Sequence, residues 1–224
     1  MNALVNAHTR NDDSLSPCTG LISNVLPEAQ RSQTGVSSEY VHKKEHHWFV
    51  LRVTYNRTQK ACDIISNAGV QSYKPMHYII KKNTGKKKRI LQPLLPNLFF
   101  VYTTREIANS IVKKKDEDTP ILKYYLDKTK TKETNGKHPP LTVPFDAMTN
   151  FIKATSTESD HVRIVSNEQC HYKSGDIVKV IDGEFKGITG RVARIAGQQR
   201  VVVEIAGLCM VATAYIPSIF IKVV

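Results

Sequence analysis

The chain has 224 residues, 41% of them apolar, and a formal charge of +12; that length suits one large or two small domains with a real core. No run approaches the roughly 18 uninterrupted apolar residues that a membrane helix needs, and residues 1 to 40 lack the apolar block of a secretory leader, so a cytoplasmic protein without membrane contact is expected. The positive excess makes polyanions the first class of partner, because each phosphate neutralised by Lys or Arg releases condensed counterions.

Residues 1–44 are rich in Asn, Ser, Thr, Gln and Asp, with apolar residues too sparse to offset the entropy of ordering, and are expected to form a disordered tail. Cys18, Cys62, Cys170 and Cys209 are scattered without a C-x-x-C pair, which speaks against a zinc ribbon or a disulfide framework and for reduced thiols. Order begins at His47-Trp48-Phe49-Val50-Leu51-Arg52-Val53, an apolar strand. Asn56 is a candidate N-cap for a helix over 57–68, where Ala61, Ile64, Ile65 and Ala68 recur at helical spacing and Gly69 marks the stop. Val70 to Ile80 reads as a strand, with Pro75 accommodated at an edge or bulge.

Lys81, Lys82, Lys86, Lys87, Lys88 and Arg89 then crowd a hairpin tip. Thr84-Gly85-Lys86 is not a phosphate loop, since a Walker motif would need a glycine at Ile80 and a hydroxyl at Lys87. No acidic residue interrupts the stretch from Lys74 to Arg89, which points to a nucleic-acid backbone or an acidic surface as its contact. Leu98-Phe99-Phe100-Val101-Tyr102 is a strand too apolar to have a wet face, so something must cover both its sides. Leu98 and Phe100 share one side, Phe99 and Val101 the other.

Thr103 with Glu106 suggests a capping box for a helix carrying Ile107, Ala108 and Ile111. A short strand at 121–126 precedes an exposed loop at 128–138. Pro144 starts a helix whose Phe145, Met148, Phe151 and Ile152 share a face. Residues 155–172 read as a linker with a brief strand at 161–165.

From Lys173 onward, β-branched runs alternate with turns. Val178 and Val180 point one way and Lys179 the other. Gly183, Gly187 and Gly190 allow a sharp reversal. Phe185 is placed to plug a small barrel, beside Lys186. About five short strands, including Val201 to Ile205, complete the expected barrel.

No catalytic constellation emerges. His46 and His47 would face opposite sides of a strand, Cys170-His171 has no partner pair, and there is no G-x-S-x-G elbow or H-E-x-x-H. An enzyme is not expected, nor a cofactor or metal.

The stretch from Gly175 to Val192 resembles a KOW motif, with Gly187 at that motif's most characteristic position. Residues 45–154 resemble the amino-terminal (NGN) domain of NusG-type transcription factors. Trp48-Phe49-Val50 is similar to its aromatic opening strand, and Leu95-Pro96-Asn97-Leu98-Phe99-Phe100-Val101 to its Phe-Pro-Gly-Tyr-Val-Phe-Val stretch. Leu95, Asn97 and Leu98 depart from that pattern. Leu-Lys-Tyr-Tyr at 122–125, Pro-Pro-Leu-Thr-Val-Pro at 139–144 and the run 195–203 resemble the UpxY-like antiterminators of Bacteroides-type bacteria.

The resemblance implies an α+β fold: an NGN-type α/β sandwich with an antiparallel sheet at 45–154, a linker at 155–172, and an SH3-like KOW barrel at 173–224. It also implies a monomeric elongation and antitermination factor acting on a long operon, with surface polysaccharide synthesis as the setting. RNA polymerase would be gripped at its clamp helices through Trp48, Leu95, Leu98 and Phe100, with upstream DNA or nascent RNA nearby. The KOW module of such factors recruits the termination factor Rho or a ribosomal small-subunit protein; Ala206 stands near the aromatic that assists this, so Rho is not expected. The alternative reading is a ribosome-associated or RNA-binding KOW protein.

Overall fold

The computed structural model describes residues 41–83, 86–157 and 161–224; the side chains of residues 82, 83, 86 and 172–176 fall outside that description. Most of the tail expected at 1–44 lies outside the described residues.

The first sheet is antiparallel throughout. Strand β1 (His47–Val53) is its centre, followed by helix α1 (Thr58–Asn67) and the short β2 (Gln71–Tyr73). Helix α1 is entered from Arg57 rather than Asn56 and has no side-chain cap. Asn56 adopts left-handed backbone, which takes it out of the N-cap geometry. The strand expected over 70–80 is broken at Lys74-Pro75, where proline has no amide to give a ladder. It resumes as β3 (Met76–Asn83), which pairs only with β4 (Lys86–Pro93).

Strand β5 (Leu98–Thr103) lies between β1 and β2, and Trp48 pairs with Tyr102, Val50 with Phe100. Helix α2 (Arg105–Val112) is entered from Thr104 as N-cap, one residue later than the capping pattern placed it. After the two-residue strands β6 (Lys115–Asp116) and β7 (Thr119–Pro120), β8 (Leu122–Tyr124) and β9 (Thr142–Val143) both pair with β1. Helix α3 (Phe145–Thr155) follows Pro144 directly.

Period-two alternation sorts the strands into two cores. Phe49, Leu51, Phe99 and Val101 pack with Ala61, Ile65, Ala108 and Ile111 from α1 and α2. Trp48, Val50, Leu98, Phe100 and Tyr102 pack on the opposite face with Met148, Phe151 and Ile152 of α3. Every residue of β5 is buried, as its composition requires. Cys62 lies in the first of these cores and is disulfide-bonded, whereas Cys170 and Cys209 are free thiols. The expectation of four reduced thiols therefore fails at Cys62.

The rear half is a six-stranded antiparallel sheet, not a five-stranded closed barrel. It comprises β10 (Arg163–Val165), β11 (His171–Val180), β12 (Thr189–Ile195), β13 (Gln198–Ile205), β14 (Cys209–Ala212) and β15 (Ile221–Val223), ordered β10-β14-β13-β12-β11-β15. The two edge strands have three residues each and pair only with their inner neighbours, so no ladder closes the sheet. The stretch 163–165, expected within a linker, belongs to this sheet. Ala196-Gly197, both left-handed, form the two-residue link between β12 and β13. Val201, Val203 and Ile205 turn toward α3 and join the same apolar cluster as Trp48 and Phe100. Helix α3 is thus covered on both sides, touching β1 in front and β13 and β14 behind.

Candidate functional site

Trp48, Leu95, Leu98 and Phe100 do converge, all on the α3 side of the first sheet. They do not present an exposed patch. Trp48 is 1% exposed, Phe100 0%, and Leu95 and Leu98 8% each. The cover comes from aromatic packing: the Trp48 and Tyr102 rings are 5.1 Å apart, Phe100 and Phe151 5.3 Å, Tyr102 and Phe145 5.7 Å. Alternation assigned these residues to one face but carries no information on what lies above it. Leu95 and Leu98 flank the exposed pair Pro96-Asn97 and so form the rim of the face. Asn97 has φ +59, the left-handed conformation that the corresponding glycine would supply.

Four of the six basic residues are exposed on one element. Strands β3 and β4 pair over eight positions and join no other sheet, so they stand out as a two-stranded ribbon. In this register Lys81 opposes Lys88 and Lys82 opposes Lys87. Lys81, Lys87, Lys88 and Arg89 are exposed, while the side chains of Lys82 and Lys86 lie outside the described residues. Like charges directly opposite destabilise a ladder, and a polyanion laid on the ribbon would relieve that repulsion. The sequence reading missed an aromatic element: the Arg89 guanidinium sits 3.8 Å from the centre of the Tyr78 ring. Tyr78 and Arg89 are two register steps apart on one side, the spacing at which a cation reaches an aromatic face. At the root, the Tyr73 hydroxyl lies 2.7 Å from Thr155 Oγ1, tying β2 to the end of α3. Lys74, buried with its ammonium 5.1 Å from the Phe99 ring centre, has its pKa lowered by desolvation.

The glycine turn of the rear sheet serves packing. Phe185 is 5% exposed within the shared cluster, and Lys186 points to solvent. Gly187 has φ +87 and donates its N–H to the Val180 carbonyl at 2.7 Å. A Cβ on Gly190 would lie 2.4 Å from the Val202 carbonyl oxygen, so only glycine fits between β12 and β13 there. Gly183 lies against the Phe220 ring. The Thr189 N–H donates to Asn150 Oδ1 of α3 at 3.1 Å, a polar tie between the sheet and the helix.

The family model described as "Transcription termination factor nusG" matches residues 46–128. No curated protein matches the chain. Among solved structures, a chain in the crystal structure of an MjSpt4:Spt5 complex, conformation B, is 16% identical, with 79% of this chain and 96% of that chain covered. The TM-score is 0.24. The matched span takes in β1 to β8 with α1, α2 and the basic ribbon, and ends before α3 and the rear sheet. Over residues 46–128, the chain is matched by the NusG family.

Proposed function

We propose that this protein is a transcription elongation factor of the NusG type, and within that type a UpxY-like antiterminator. In this reading it binds RNA polymerase and suppresses pausing or termination in a long operon, one for capsular or other surface polysaccharide. The observation that carries the NusG-type part of this reading is the match over 46–128, which takes in most of the first sheet and the ribbon, while the UpxY-like part rests on the resemblance of 122–125, 139–144 and 195–203.

Such a factor needs no reaction, cofactor or metal. Binding the elongating polymerase more tightly than the paused one shifts the population by no more than the difference in affinity. The clamp helices would meet the Leu95 and Leu98 rim, with Trp48 and Phe100 supporting it from beneath. The ribbon lysines and Arg89 would lie against upstream DNA or nascent RNA, a contact that weakens with salt. The rear sheet is read as a KOW module of SH3-like type, supported by the turn at Gly183, Gly187 and Gly190, although its strands do not close. Ala206 leaves that module without the aromatic that assists Rho recruitment, so Rho is not a partner.

The test is capture and transcription with purified components. The full chain should retain RNA polymerase from a native lysate and raise readthrough at a terminator in single-round transcription. Retention of ribosomal RNA without polymerase would support the ribosome-associated reading instead. No affinity for polymerase, even on a scaffold carrying nascent RNA, would overturn the proposal.

A further inference from the structure

Arg52 and Lys123 sit directly opposite each other across the β1–β8 ladder, and both are exposed. Neither makes an ion pair among the described residues. Opposed like charges repel, so the pair costs the fold stability and calls for an anion between or above them. They line an open pocket of about 530 Å³ whose rim also holds Tyr55, Asn56, Pro96 and Asn97 and which no carboxylate lines.

Three of the rim residues have left-handed backbone: Tyr55 at φ 52, Asn56 at 54 and Asn97 at 59. Asn tolerates that region, but an aromatic residue there is an outlier, and such outliers gather at functional sites. Tyr55 gains no burial in return, since the residue is 80% exposed. The turn is held from below. The Arg57 N–H donates to the Thr54 carbonyl at 3.3 Å, the Thr54 N–H to the Ile121 carbonyl at 3.0 Å, and an Arg57 Nη2 donor to Thr54 Oγ1 at 3.0 Å. The Arg57 guanidinium lies 5.4 Å from the Tyr55 ring centre. Strain, anchoring and exposure together keep one aromatic ring standing beside two unneutralised cations.

We propose that this pocket binds a nucleoside phosphate, with the phosphate between Arg52 and Lys123 and the base against the Tyr55 ring. The Asn56 and Asn97 side-chain amides are placed to donate to, or accept from, the sugar or base edge. The unit can come from a free nucleotide or from one residue of a single strand. The site stands on its own geometry and does not depend on the polymerase reading.

The experiment titrates adenosine 5′-monophosphate, and separately a short single-stranded DNA of mixed sequence, into the full chain. The Lys87→Gln/Lys88→Gln background removes two of the ribbon's six cations, and every comparison is made within that background. Arg52→Gln/Lys123→Gln should weaken binding about tenfold or more, as loss of charge-assisted contacts does. Tyr55→Gly should weaken it about tenfold through lost stacking while raising the thermal midpoint, because glycine relieves the turn. A merely structural Tyr55 would raise the midpoint and leave binding unchanged. Saturation by the nucleotide identifies a free-nucleotide site; binding of the DNA alone identifies a residue of a strand. The proposal is overturned if neither probe binds, if the Arg52 and Lys123 changes are silent, or if Tyr55→Gly leaves affinity intact.

Discussion

At Gly190 the absence of a side chain is a packing requirement. The Val202 carbonyl oxygen and Val201 Cγ1 lie 2.4 and 2.8 Å from where a Cβ would stand, and both belong to a paired strand that cannot retreat alone. Gly190→Ala should therefore cost about 1–3 kcal/mol, the range for overpacking a filled core, read as a lower urea midpoint at unchanged slope. Asp127 is a second residue whose surroundings dictate its behaviour. It is 4% exposed and accepts from the Thr129 hydroxyl at 2.5 Å and the Thr129 N–H at 3.0 Å, with Lys130 Nζ at 3.5 Å. Chiefly the Thr129 hydroxyl, aided by its backbone N–H and by Lys130, holds the carboxyl below the usual aspartate range. A depressed folded pKa contributes stability that is complete above the unfolded value, about 3.9, and is lost as pH falls through the folded one. The thermal midpoint should thus drop below about pH 4. Asp127→Asn should lose less between pH 5 and pH 3 than the unaltered chain, and superimposable pH profiles would contradict this.

Among elements, the β3–β4 ribbon combines legibility with risk. Its lysines were plain in the sequence because nothing acidic interrupts them, and a hairpin tip between two strands implies that those strands pair. A two-stranded ribbon is marginal by itself, and this one opposes Lys81 to Lys88. Lys81→Glu should steady the ribbon by roughly 0.2–1 kcal/mol, seen as slower amide exchange in β3 and β4. The same change should weaken single-stranded nucleic-acid binding and flatten its salt dependence by about 0.7 or more in the log–log slope. If the slope stays the same, the ribbon is not the contact. The strand break at Lys74 was harder to foresee, because proline within an apolar run marks either an edge or an end. The turn at Tyr55 was not legible at all: a tyrosine carries no signal for left-handed backbone, and tertiary hydrogen bonds to the 120–121 segment hold it there.

For the molecule as a whole, local pattern was informative within each half and silent between them. Alternation divided Leu98 and Phe100 from Phe99 and Val101 correctly. It could not say that α3 would lie over Trp48 and Phe100, since contacts between distant segments leave no period in the sequence. The same limit applies to the rear sheet, whose strands were recognisable while the failure of its edges to meet was not. A second junction lies at the turn after β13, where a Cβ on Gly207 would come within 3.2 Å of Asp127 Oδ1 and 3.7 Å of Leu141.

Helix α3 works as a keel common to both halves: Phe151 is seated in the front, and Asn150 is moored to the rear. A fragment cut after residue 157 would leave the back of that keel greasy and bare. Such a fragment should cling to its own copies, sedimenting as a concentration-dependent mixture where the whole chain runs as a single species, and a well-behaved solitary fragment would mean that the rear half adds no shelter.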